Sequence, residues 1–254
     1  MINRALEIAR DEGLTTLIKR SWDFLKFKLN LKEKYHRLVI PYAIWKLKRM
    51  KFESIEDLVD FSFNWLSGLI RPIQIREEII QLLKLLSERK PKVVLEIGTA
   101  NGGTLFLFTH VASEDATLIS IDLPGGMFGG GYPDWKIPLY KAFARHNQKI
   151  HLIRADSHDP KTLEFVKKIL NRRKVDFLFI DGDHTYEGVK KDFEMYSPLV
   201  GKSGLIAFHD IVEHPPETKC EVHKFWNKIK KNFKYKEFIK DYDQKWAGIG
   251  VLFL

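Results

Sequence analysis

The 254-residue chain has a single cysteine, Cys220, and so no internal disulfide framework. No stretch approaches the 18 or more consecutive apolar residues that a membrane-spanning helix needs. The N-terminus lacks the uninterrupted apolar core of a secretion signal. Together these absences point to a reducing, cytoplasmic setting. Internal repeats and low-complexity tracts are also missing. No cysteine spacing resembles a zinc site, and no RNA-binding signature is present, so nucleic acid is not an expected partner.

What is present is unevenly charged. The formal net charge is +9. Residues 1–51 hold 13 Lys/Arg against 5 Asp/Glu, and the rest is close to neutral. Within that segment Leu14, Leu17, Ile18, Trp22, Leu25 and Leu29 recur at helical spacing, which predicts helices broken near Gly13 and Pro41. A basic helical extension packs on its own domain, on a second copy of the chain, or on an anionic membrane surface. The length accommodates such an extension, residues 1–70, ahead of one larger domain, residues 71–254.

From Val93 onward the pattern alternates. Strand-like runs at 93–98, 117–122, 150–155, 175–181 and 204–209 are separated by helix-like runs near 103–113, 137–146, 160–171 and 185–196. A helix near 221–231 and strands near 235–240 and 247–254 close the chain. This alternation predicts an α/β fold, a Rossmann-like, mostly parallel sheet with helices on both faces. In such a sheet ligands bind beyond the carboxyl ends of the strands. Every one of the five runs carries an acid there: Glu96, Asp122, Asp156, then Asp181 with Asp183, then Asp210.

The first run is the most informative. Val93-Val94-Leu95-Glu96-Ile97-Gly98 leads through Thr99-Ala100-Asn101 to Gly102-Gly103 and an apolar helix. Gly98 can take backbone angles closed to other residues, and Gly102 and Gly103 leave room for a ligand to approach the main chain. Asp122, 24 residues past Gly98, has the spacing of an acid that binds ribose hydroxyls. The loop 125–131, with five glycines and Phe128, followed by Tyr132 and Trp135, reads as a lid or an aromatic sugar platform.

These residues resemble class I S-adenosylmethionine-dependent methyltransferases. The resemblance runs from E-I-G-T-A-N-G-G-T through I-D-L-P, A-D-S-H, F-I-D-G-D-H-T-Y-E-G-V-K-K-D and G-L-I-A-F-H-D to G-I-G-V-L-F, roughly residues 72–254. The D-G-D-H-T-Y segment with its later H-D is similar to a branch that includes sugar O-methyltransferases and cephalosporin-hydroxylase-like proteins. The resemblance implies seven strands with the last antiparallel. It implies that Gly98, Thr99, Asn101 and Gly102 follow the methionine moiety, with Glu96 facing its ammonium group and Gln74 its carboxylate. Asp122 would hold the ribose, and Asp156 with Ser157 the adenine.

In the sugar-modifying relatives the acids ending strands four and five hold a divalent cation. Asp181 and Asp210 match them, but His209 replaces the first acid of the pair, so the candidate set is Asp181, His209 and Asp210. This set would take Mg²⁺ or another divalent ion. Asp183 or His184 would take the acceptor's proton. The expected reaction is methyl transfer to a hydroxyl of a saccharide or other small molecule. An amine or phenol acceptor, or a non-catalytic cofactor- or nucleotide-binding protein on the same fold, are the alternatives.

Overall fold

The structure is a computed structural model that describes residues 31–125 and 131–254. Most of the basic extension and the centre of the glycine loop, including Phe128, lie outside the described residues. The chain divides into two compact units, residues 1–43 and 44–254. Helix α1 (Leu31–Leu47) runs through Pro41 instead of breaking there. An internal proline costs about 3 kcal/mol, and the neighbouring Ile40 and Ala43 are buried, which offsets it. Leu38, Tyr42 and Trp45 on the same helix stay largely exposed.

The second unit starts 27 residues before the boundary read from the sequence. The cause is helix α2 (Ile55–Asn64), capped by the Ser54 hydroxyl, which accepts the Asp57 amide. Phe61 on α2 and Phe52 before it set their rings 5.8 and 6.2 Å from that of Phe106, in the body of the fold. Residues 44–70 are therefore part of the sheet-bearing unit. Helix α3 (Arg76–Arg89) follows and buries Ile79, Leu82, Leu83 and Leu86.

The sheet has seven strands: β1 (Val93–Ile97), β2 (Thr117–Asp122), β3 (Lys149–Arg154), β4 (Val175–Ile180), β5 (Val200–His209), β6 (Lys234–Phe238) and β7 (Ile249–Phe253). Their order is β3-β2-β1-β4-β5-β7-β6. β1 to β5 are parallel, and β7 runs antiparallel to both β5 and β6. The central strands are β-branched and apolar because both of their faces are covered. The covering helices are α4 (Gly103–Val111), α5 (Ile137–Lys141), α6 (Pro160–Leu170), α7 (Tyr186–Tyr196) and α8 (Val222–Ile229). Val166, Leu170, Val189, Tyr196, Phe225 and Trp226 pack from α6, α7 and α8 onto Leu95, Leu178, Ile180 and Phe208. Strand order reverses between β1 and β4, which opens a crevice at their carboxyl ends.

Candidate active site

At that crevice lies a cavity of about 520 Å³. One wall is the turn Gly98–Asn101 with the start of α4, a second is Asp122 and the segment 155–158, and a third is the 181–184 turn after β4. His209, Asp210, His214, Thr218 and Cys220 close the far end, with Trp246 at the rim. Gly98 has φ +89°, and a Cβ there would meet the Asp181 carbonyl oxygen at 1.9 Å. Only glycine allows β1 and β4 to diverge so late. Gly102 differs from its expected role. It lies outside the cavity wall, and a Cβ on it would strike the Tyr140 ring at 2.5 Å. A Cβ on Gly103 would meet the Ile70 carbonyl oxygen at 2.5 Å. Gly102 makes room for the protein's own packing, and Gly103 does the same while lining the cavity.

The acids divide into three kinds. Glu96 is fully buried and is not part of the cavity wall. Its Oε1 accepts the Thr104 hydroxyl at 2.5 Å, and its Oε2 has no partner. Burial raises its pKa to about 8. It therefore does not face a cofactor ammonium group. Among the described residues at the cavity, Gln74 Oε1 is an unpartnered acceptor, while Gln74 Nε2 donates to Asp181 Oδ2 at 2.8 Å. An acceptor there suits an ammonium group better than the carboxylate that the sequence suggested.

Asp122 is a clamp. Its Oδ2 accepts the amides of Thr99 (2.9 Å) and Ala100 (2.7 Å), and its Oδ1 those of Leu123 (2.7 Å) and Gly131 (2.9 Å). Four bonds use the lone-pair sites of a carboxylate, so a ribose hydroxyl must compete with the backbone. Thr99 and Asn101 line the cavity; Asn101 Oδ1 accepts Lys136 Nζ at 3.0 Å. Asp156 closes a local turn on the His158 amide, and the Ser157 carbonyl accepts the Tyr196 hydroxyl at 2.7 Å. The cap of α6 is Asp159, which leaves Asp156 at the cavity wall. His158, missed in the sequence, also lines the cavity and sits 3.2 Å from Asp192.

The third group is a cluster of histidines and acids. His209 Nδ1 lies between Asp181 Oδ1 (3.1 Å) and Asp210 Oδ1 (3.3 Å). His184 bridges the same acids, 3.5 Å from Asp181 Oδ1 and 3.2 Å from Asp210 Oδ2. His214 Nε2 is 3.1 Å from Asp210 Oδ1. Asp210 takes a left-handed backbone, φ +61°, which turns it back toward the cavity. Burial works against charge on His184, but its bonds to Asp181 and Cys220 prevail and raise its pKa to about 10. Burial would raise Asp181, yet the charge of His209 and the His184 bond hold it below the usual carboxylate range.

The candidate metal set Asp181, His209 and Asp210 does come together. It does not fit Mg²⁺. A buried imidazole occupies the space between the two carboxylates and balances their charge, whereas Mg²⁺ needs oxygen ligands and retained waters. Of the two base candidates, Asp183 lines the cavity and uses Oδ1 for the Thr185 amide at 2.8 Å. The cap of α7 is Thr185, so Asp183 is not committed to that role. Tyr132 is not a sugar platform. It is buried, 4.8 Å from the Tyr140 ring. The exposed aromatic at the cavity is Trp246, which the sequence reading missed. Its loop is held by Glu78 on α3, whose carboxylate accepts Gln244 Nε2 and the Lys240 and Gly248 amides, and Gln244 Nε2 also donates to the Trp246 carbonyl.

Residues 95–211 match the family model for a methyltransferase domain. That match covers 117 of the 254 residues, and the seven-stranded sheet around it has the fold of the solved methyltransferases that it resembles. The O-methyltransferase TomG of Streptomyces achromogenes, solved with SAM, is similar with a TM-score of 0.52 at 15% identity, over 80% of this chain and 91% of that one. The calicheamicin methyltransferase CalS11 is similar with a TM-score of 0.54 at 15% identity, over 84% and 91%. These likenesses fix the fold. An uncharacterised protein of Acanthamoeba polyphaga mimivirus, R132, is 31% identical over 144 residues, 57% of this chain. The alignment spans 62% of that relative, less than two thirds of its length.

Proposed function

We propose that the protein is an S-adenosylmethionine-dependent O-methyltransferase acting on a hydroxyl of a small molecule, with a saccharide as the favoured acceptor. The observation that carries this is the cavity itself. It runs from the Gly98 turn, past Asp122 and Asp156, to an acidic and histidine-rich end at His184 and Asp210. The residues suit the cofactor: a glycine cradle at Gly98 and an unpartnered buried acceptor at Gln74 Oε1. Bound there, the cofactor supplies an electrophilic methyl group on a sulfonium.

The chain's part is to hold the acceptor hydroxyl in line and to take its proton. Asp183 suits the proton acceptor because its carboxylate lines the cavity and Oδ2 takes no part in the Thr185 turn. His184, held protonated by its acid partners, suits a positioning or donor role instead. Trp246 offers a flat face on which a sugar ring can stack. No step requires Mg²⁺.

Calorimetric titration with S-adenosylhomocysteine tests this reading, with saturable one-site binding expected. A folded protein that gives no heat refutes it. The basic segment 1–51 would keep the enzyme at an anionic membrane surface, and none of the described helices is long and apolar enough to span one. Flotation with anionic liposomes, lost on deleting that segment, is the expected result; a dimer that depends on the same segment is the rival outcome.

A further inference from the structure

The end of the cavity holds more donors than methyl transfer uses. Cys220, the only cysteine of the chain, is buried on the loop between β5 and α8. That loop folds back so that the Glu221 amide donates to the His184 carbonyl oxygen at 2.7 Å. The return brings the Cys220 thiol beside His184 and Asp210, and ligating atoms of the three all lie within 4.8 Å of one another. His214 Nε2, 3.1 Å from Asp210 Oδ1, accepts the Ala247 amide at 3.1 Å and stands outside the set. In a tetrahedral zinc site, bond lengths of about 2.0–2.3 Å put ligand atoms roughly 3.3–3.7 Å apart. Small side-chain rotations close that difference.

The set is also the wrong chemistry for a hard ion. One thiol, one imidazole and one carboxylate make a borderline-soft donor set, which selects zinc-class ions over Mg²⁺ or Ca²⁺. Three features make the set a site and not a chance cluster. All three side chains line one cavity. They are buried or nearly so, with side-chain exposures of 21% for His184 and 6% for Asp210, and Cys220 buried. Two of them already have partners of the kind that orient metal ligands, since Asp181 faces His184 and His209 faces Asp210.

We infer that His184, Asp210 and Cys220 form a binding site for a zinc-class divalent cation at the acceptor end of the cavity, with the ion's fourth position open to water. The ion would displace the protons that these side chains share, so its binding releases protons and strengthens as pH rises. The inference stands apart from the methyl-transfer reading, because it concerns side chains that exist whether or not the cofactor binds.

The test is a titration of the full-length protein, stripped by chelator, with Co²⁺ as a spectroscopic stand-in for Zn²⁺. Absorbance is read without cofactor or acceptor. The expected result is a thiolate-to-cobalt charge-transfer band that saturates at one ion per chain, is bleached by Zn²⁺ and is untouched by excess Mg²⁺. With one cysteine in the sequence, that band assigns Cys220 without any variant. In H184A the affinity should fall at least ~100-fold, since loss of an outer-shell partner alone costs ~10–100-fold. A folded wild-type protein with no band, or a band that Mg²⁺ abolishes equally well, overturns the inference. Failure of S-adenosylhomocysteine binding in a separate titration would leave it intact.

Discussion

Replacing Asp122 with Asn separates a backbone clamp from a ribose ligand. In the structure both carboxylate oxygens of Asp122 accept two backbone amides each, joining the Gly98 turn to the base of the glycine loop. Asn keeps one accepting oxygen and turns the other position into an NH₂ donor. Whichever way the amide sits, two backbone N–H groups then face a donor. Hydrogen bonds to a charged acceptor contribute about 1.5–3 kcal/mol each, so two lost bonds cost ~3–6 kcal/mol. The Leu123 and Gly131 side is nearer solvent and can recover part of this through water, so we expect ~3 kcal/mol. For a chain of this size that lowers Tm by roughly 6–12 °C. Urea denaturation followed by circular dichroism measures it. S-adenosylhomocysteine affinity should fall too, because the turn that forms the cofactor wall is loosened. A D122N protein as stable as wild type, with weakened cofactor binding alone, would refute the clamp and restore Asp122 as a simple ribose ligand.

Glu96 makes stability fall with rising pH. Its folded pKa of about 8 lies above the usual value, so between about 4.5 and 8 the unfolded chain loses its proton first and the folded state is penalised, by up to roughly 1.4 kcal/mol per pH unit. The E96Q protein should lose that slope and exceed wild type in stability at pH 8; an unchanged slope across this range would argue against a protonated Glu96. Gly98→Ala should leave little folded protein, because its Cβ would sit 1.9 Å from the Asp181 carbonyl oxygen; normal yield and cofactor affinity would contradict that geometry. Trp246→Ala should raise KM for a saccharide acceptor several-fold and leave S-adenosylhomocysteine affinity unchanged, and an effect on the cofactor instead would remove Trp246 from the acceptor subsite. Asp183→Asn should cut kcat by about 10²-fold or more with cofactor binding intact; full activity would exclude it as the base.

The alternating pattern from Val93 to Leu254 determined the α/β architecture by itself, because period and punctuation are local properties. Strands buried on both faces read as β-branched apolar runs, and glycine at position 98 marks a turn where no side chain fits. The strand-end rule then named the right edge of the sheet, and Asp156, Asp181, Asp183, His209 and Asp210 all arrive at one cavity there.

What each acid does there is set by atoms distant in sequence. Glu96 and Asp122 look alike as strand-end acids. Thr104 and burial made the first a sealed, raised-pKa group, and four amides from three segments made the second a clamp. Gly102 read as a ligand contact until Tyr140 filled the space beside it, while Gly103 stays at the cavity wall. Cys220 carried no spacing signal, since its neighbour His184 sits on another loop more than 30 residues away. Sequence period fixes which face a residue takes along its own element. Which neighbour meets it there depends on how strands, loops and returning segments converge, and only the folded chain decides that.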